Sequence, residues 1–357
     1  SRGGSQVTRS RLSVYLGICA LVFLGSLIGL VVALSGPDET PTPNLSVDVV
    51  VVPEVMTAVH KTYSGTDGTF LAKTIIKNNG DQPVTNFHIS YSIPGYVETA
   101  GQEDYPLILP GQTVNDYCYP TFDAEQMREI ESETPAELDV SYTYDGNLNA
   151  KGTSATFSFL GHNDWVRTYL PIDDQLTFAD TVDNIAALAA WVTKNDPEVE
   201  KLAKDLTGGI FTATDDGTIK AAHEIYDGMR TSPLRYVTES DSYWTDQEAQ
   251  HVQFPAETLA NKGGNCVDLS ILFAALLESV GVETTLCAST GHCQVAITLP
   301  ESGDMYVIEA TAIDNPSISF YDSLEIGRTK HDEETQQYTW VQMNVRDEWA
   351  NGMVPSW

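Results

Sequence analysis

Three residue types that together can break an amide bond occur in chain order late in this sequence: Cys266, His292 and Glu309. A sulfur nucleophile needs a base that takes its proton and later returns one to the leaving amine. Imidazole does this near neutral pH, and a carboxylate on its other nitrogen fixes tautomer and orientation. Cys266 follows Gly263, Gly264 and Asn265 and opens a long apolar run. A thiol at the start of a helix would meet the positive end of the helix dipole, which favours the thiolate. The amides there could also receive an oxyanion, and the two glycines would let a substrate backbone come close. A cysteine in that position is more often a small hydrophobe, so the case depends on what surrounds it.

The surrounding elements are legible. Leu269, Leu272, Phe273, Leu276, Leu277 and Val280 recur at helical spacing, which predicts a helix with one face in a core. Asn265 suits the N-cap, Asp268 can reach back to the cap amide, and Gly281 suits the position after the helix. The run TTLCASTGHCQVAITL predicts two strands about a short turn with His292 opening the second, and YVIEAT predicts another strand ending near Glu309.

These segments, PAETLANKGGNCVDLSILFAALLESVGVET followed by TGHCQVAI and YVIEAT, resemble the core of the transglutaminase-like superfamily over about Tyr226–Thr311. The resemblance implies a papain-like α+β domain, here 161–357, with Cys266 as nucleophile, His292 as general base and acid, and Glu309 as the orienting acid. Asp268 matches the motif acid after the nucleophile and reads as a capping residue. Asn265 stands where Asp is commoner, and Cys293 and Gln294 stand where small or aromatic residues are commoner. Gln253 or Trp244 could line the cleft or assist an oxyanion, although packing is the commoner role for either. His223 reads as a packed histidine. No cofactor is implied, and no Cys/His pair has metal-ligand spacing, so no catalytic metal is expected.

Upstream, Val182, Ile185, Ala186, Ala189 and Val192 predict a helix, and Ala222, Ile225, Tyr226 and Met229 a second over Ile219–Met229. Between Leu45 and Leu160 the runs VDVVVVP, FLAKTIIKN, NFHISYSIP, ELDVSYTYD and SATFSFL alternate between turn signals. They predict a β-sandwich over 45–160, and NNGDQPVTNFHISYSIPG resembles Ig-like or fibronectin-like modules of prokaryotic surface proteins. That module reads as a spacer or a partner-binding unit.

The N-terminus reads as an anchor. Arg2, Arg9 and Arg11 precede the uncharged stretch Leu12–Leu34. At about 1.5 Å per residue it is long enough for the roughly 30 Å hydrocarbon layer. The arginines would stay in the cytoplasm, placing 1–36 as tip and span and the remainder outside. Residues 37–44 form a Pro-rich linker ending in the sequon at Asn44. In that oxidising setting Cys287 and Cys293, flanking a turn, could pair; alternatively Cys293 stays free on the outward side of its strand.

Fifty Asp and Glu against 19 Lys and Arg give a net charge of -31. That excludes nucleic acid as a partner, because a phosphate backbone needs a cationic surface. It suits salt adaptation, as in an archaeal or halotolerant surface protein, or cation binding; Asp215 and Asp216 lack EF-hand spacing for calcium. Three functions compete: a surface cysteine hydrolase or acyltransferase acting on peptide or Gln amides, an inactive module binding an envelope protein or glycan, and a structural envelope component.

Overall fold

The computed structural model describes residues 43–65, 69–238, 249–355 and 357. The expected membrane span, most of the linker and Trp244 lie outside the described residues. Among the described residues no helix is long and apolar enough to cross a membrane. Every described residue belongs to one compact unit, Thr42–Trp357.

The N-terminal half of that unit is β-structure: β1 (Leu45–Val51), β2 (Glu54–Val55), β3 (Ala72–Asn78), β4 (Val84–Ile93), β5 (Val97–Ile108), β6 (Thr113–Cys118), β7 (Thr134–Tyr144) and β8 (Asn147–Phe159), with a short helix α1 (Ala124–Arg128) before β7. They form a three-stranded sheet, β1-β3-β6, and a five-stranded sheet, β2-β8-β7-β4-β5. Strand alternation explains the shared core. Phe87, Ile89, Tyr91 and Ile93 of β4 all point inward and meet Ile76 of β3 and Leu138 and Val140 of β7. A buried carboxylate bridges the sheets, since Asp116 of β6 accepts from the hydroxyls of Tyr91 (2.6 Å) and Tyr105 (2.8 Å).

The C-terminal half comprises β9 (Asp164–Trp165), α2 (Pro197–Thr207), α3 (Asp215–Thr231), β10 (Arg235–Tyr236), β11 (Gln250–His251), α4 (Pro255–Asn261), β12 (Gly263–Gly264), α5 (Cys266–Ser279), β13 (Thr284–Ser289), β14 (His292–Thr298), β15 (Met305–Ile308), α6 (Phe320–Gln336), β16 (Val341–Asn344) and α7 (Val345–Ala350). An antiparallel sheet of order β15-β14-β13-β16 carries α5 on one face. This is a mixed α+β fold, as the sequence implied.

Two expectations need correction. Helix α5 has no solvent face: Val267 through Glu278 are all buried, because α2, α3 and α4 cover the side turned away from the sheet. A helix apolar all round is a buried helix, and the stripe is only its most obvious part. The helix expected over Val182–Val192 is instead a broken 3-10 run, Phe178–Trp191, interrupted at Val182 (φ -140°, ψ 34°). Ala187 to Trp191 are buried consecutively, which one helical stripe cannot achieve.

The two halves share packing. Met56, Ala58 and Val59, from a 3-10 segment Thr57–Tyr63 and the residue before it, join the C-terminal core. Trp357 lies against Phe254, His60 and His162, with ring centroids 5.1, 6.0 and 6.3 Å apart.

Candidate active site

The site begins with the cap of α5. Asn265 Oδ1 accepts from the amides of Val267 (2.8 Å) and Asp268 (3.0 Å), and Asp268 Oδ2 accepts from the Asn265 amide (2.9 Å). This reciprocal box, expected from Asn-x-x-Asp, fixes Cys266 as the first helical residue. It also uses two of the first-turn amides, so those cannot receive an oxyanion as expected.

Asp268 does more than cap. Gln253 donates to it from its backbone (2.8 Å) and from Nε2 (2.9 Å), and Nε2 also reaches the Gly263 carbonyl (3.2 Å). Gln253 is therefore tied to the cap and is not an oxyanion donor aimed at the sulfur. Burial raises the pKa of Asp268 despite these donors. The reason for Gly264 also changes. A Cβ there would come within 2.5 Å of the Asp268 Cβ, so the glycine makes room for the capping acid rather than for a substrate. It is buried in the parallel pairing of β12 with β10.

His292 is placed by the hairpin of β13 and β14, whose Ser289↔His292 pair closes a two-residue turn with Gly291 at φ 67°. Its Nε2–H donates to Glu309 Oε2 at 2.8 Å. The Cys266 side chain lines the same cleft as the ring and acts on its charge. Burial opposes the charged ring, but hydrogen bonds and negative charge from Cys266 and Glu309 outweigh it and push the His292 pKa up to about 10.

Glu309 lies just beyond β15 and caps the 3-10 turn Ala310–Asp314. Its Oε1 accepts from Thr311 N (3.1 Å) and Oγ1 (2.6 Å), and its Oε2 from His292 and Gln294 Nε2 (2.8 Å). Burial favours the neutral acid, yet His292 and Thr311 hold its pKa below the ordinary value. The structure thus brings Cys266, His292 and Glu309 together from three separate elements.

Cys266 and His292 line a cleft of about 220 Å³ whose walls include Trp165, Phe178, Val182, Leu188 and Tyr236. Arg167 also lines it, and no Asp or Glu does among the described residues. A site of this kind can attack a carbonyl with sulfur, pass a proton through imidazole, and hold apolar groups beside the reacting bond.

Among the described residues the other thiols do not compete. Cys118, Cys287 and Cys293 are buried and unpaired with one another. Burial raises all three above the ordinary thiol value, Cys118 to about 12. Geometry excludes the Cys287–Cys293 pairing that the sequence left open. Cys287 pairs with Gln294 and Cys293 with Ala288, so the two sulfurs leave opposite faces of the sheet. Nor does Cys293 face outward, since it packs in the α5 core.

His223 stacks on Phe320 (5.1 Å), as a packed histidine should. Asp215 Oδ1 accepts from the amides of Glu301 (2.9 Å) and Ser302 (3.4 Å). Among the described residues no group of three or more His, Cys, Asp or Glu could hold a metal ion. Sequence reasoning misses Gln294 as a partner of the acid. Its position two residues after His292 on one strand, hence on the same face, is the available signal.

The core model of the transglutaminase-like superfamily matches residues 200–349. No curated protein matches the chain. Among solved structures, a provisionally named cysteine protease of Cytophaga hutchinsonii is 14% identical, covering 65% of this chain and 72% of its own, with a TM-score of 0.24. A provisionally named protease of Parabacteroides distasonis is 11% identical, covering 75% and 62%, with a TM-score of 0.25. Superpositions that loose say nothing about chemistry here. The family match stands on its own: residues 200–349 form a transglutaminase-like superfamily domain.

Proposed function

We propose that this domain is a cysteine-dependent enzyme acting on peptide or Gln amide bonds. The observation that supports this most is that His292 lines one cleft with Cys266 while its ring is bonded to the Glu309 carboxylate. The Cys266 sulfur adds to the amide carbonyl. The C–N bond then breaks as His292 delivers its proton to the leaving nitrogen, which leaves a thioester on sulfur. Water, giving its proton to His292, attacks the thioester and releases the acid; a primary amine in its place would give a new amide. Glu309 keeps the ring turned and stabilises its charged form throughout. Family membership does not choose between the two acceptors; on an outer face, bulk water is the commoner one and favours hydrolysis.

In the same reading, Leu12–Leu34 holds both halves on the outer face of a membrane, with the β-structure as an Ig-like spacer and cell-surface protein as substrate. Intact cells displaying the chain, given a mixture of peptides, test both parts. Mass spectrometry should find new peptide termini, Gln converted to Glu, or Lys–Gln cross-links, whichever matches the true acceptor. A Cys266→Ala chain should abolish them. Equal products from both chains would leave a non-catalytic binding module, and products appearing only after lysis would place the site inside.

A further inference from the structure

Gln294 is the least expected side chain at the centre of this site. It is 1% exposed, and it lies on the sheet face that also carries Cys287, Ala296 and Val307, all buried. Leu or Met would suit such a neighbourhood. The amide is costly there, because no donor among the described residues reaches its Oε1. An unsatisfied buried carbonyl is a penalty that a fold removes unless the other end of the amide is needed. That other end, Nε2, is spent on one atom, Glu309 Oε2, at 2.8 Å. It is the same oxygen that accepts from His292 Nε2 at 2.8 Å.

We propose that Gln294 is a positioning residue of this site: by sharing the Glu309 oxygen that holds His292, it lets the carboxylate orient the ring without retaining the ring's proton. The inference rests on the catalytic reading of Cys266, His292 and Glu309 and deepens it. A carboxylate oxygen with imidazolium as its sole donor would concentrate its charge on that proton. A second donor on the same oxygen disperses the charge and fixes its direction, as Thr311 does for Oε1. The ring must give its proton to a leaving amine, so a hold that is too strong slows the step. The other titratable groups facing this pair are Cys266 from α5, Cys293 from β14 and Tyr226 from α3, with Arg167 on the cleft wall. The Glu309 carboxylate takes its hydrogen bonds instead from His292, Gln294 and Thr311.

The test follows the His292 ring by NMR in the full chain labelled with ¹⁵N-histidine, titrated with pH. The signal is identified by its loss in His292→Ala. In Gln294→Leu and Gln294→Met, the pH at which His292 loses its proton should rise by about one unit, the effect of one hydrogen bond to a charged group. A purely structural role would lower the melting temperature and leave that midpoint where it was. Should the apolar variants lose the wild-type spectrum, Gln294→Asn, whose amide is withdrawn by one methylene, carries the same expectation. An unmoved midpoint in a variant that keeps the remaining histidine signals overturns the inference. A Cys266→Ala chain separates this from the parent reading. If the His292 midpoint responds to Cys266 but not to Gln294, this inference alone fails; if it ignores Cys266, the nucleophile–base pair fails with it.

Discussion

A ring held between sulfur and carboxylate has a defined pH signature. The His292 pKa is raised from 6.5 to about 10, so its stabilisation is complete below about 6.5 and is lost as pH rises towards 10. Glu309 is lowered from 4.5, so its contribution is present above that value and is lost as pH falls through its folded pKa. The pair is therefore worth most between about pH 4.5 and 6.5. Replacing the charge with a neutral isostere, Glu309→Gln, should cost about 1–3 kcal/mol in that window. The gap between wild-type and variant melting temperatures should narrow steadily towards pH 10. A gap that stays constant from pH 5 to 10 would mean the two groups are not coupled. At this scale the sequence is informative where chemistry restricts residue choice. Cys266, His292 and Glu309 are legible as types in order, whereas Gln294 and the true roles of Gln253 and Gly264 depend on contacts that spacing does not encode. The Cys287–Cys293 pairing stayed open in the sequence because nearness along the chain says nothing about which face of a strand a sulfur leaves.

The element that matters most is the first turn of α5. Its cap is legible because Asn-x-x-Asp before an apolar run is a local signal with a local cause. Gly264 ties that cap to the neighbouring strand. Gly264→Ala would push a Cβ to within 2.5 Å of the Asp268 Cβ, so the cap must shift. We expect about 1–3 kcal/mol of lost stability, typical of overpacking, together with slower alkylation of Cys266. Wild-type melting and wild-type alkylation in that variant would show that the cap does not hold the thiol in place. Helix α2 carries an apolar stripe at Val199, Leu202, Ala203 and Leu206, whereas another helix had none to display. Helix α6 buries Phe320, Ser323, Gly327 and Glu334, and Gly327 passes so close to the Val307 carbonyl that a Cβ would sit 2.3 Å from it. Small and polar buried positions carry no hydrophobic period. Strand β5 hid in the same way, with only Ala100 and Ile108 buried along its length.

For the whole molecule, the division into a β half and an α+β half is legible from the change of period near Leu160. The joint between them is not. Met56, Ala58 and Val59 are near one end of the chain and Trp357 at the other, and only the fold brings them against the same core. The arrangement also sorts the thiols. Cys118 is buried between the β sheets and Cys287 beneath the C-terminal sheet; Cys293 packs against α5, and Cys266 is half-buried at the cleft. Alkylation by iodoacetamide at neutral pH, read cysteine by cysteine in the folded chain by mass spectrometry, therefore tests the central claim most directly. Cys266 should react first, and its rate should fall by about 100-fold in His292→Ala, within the usual worth of a positioned general base. Comparable rates at Cys118, Cys266, Cys287 and Cys293, or a Cys266 rate indifferent to His292, would contradict a catalytic pairing of the two.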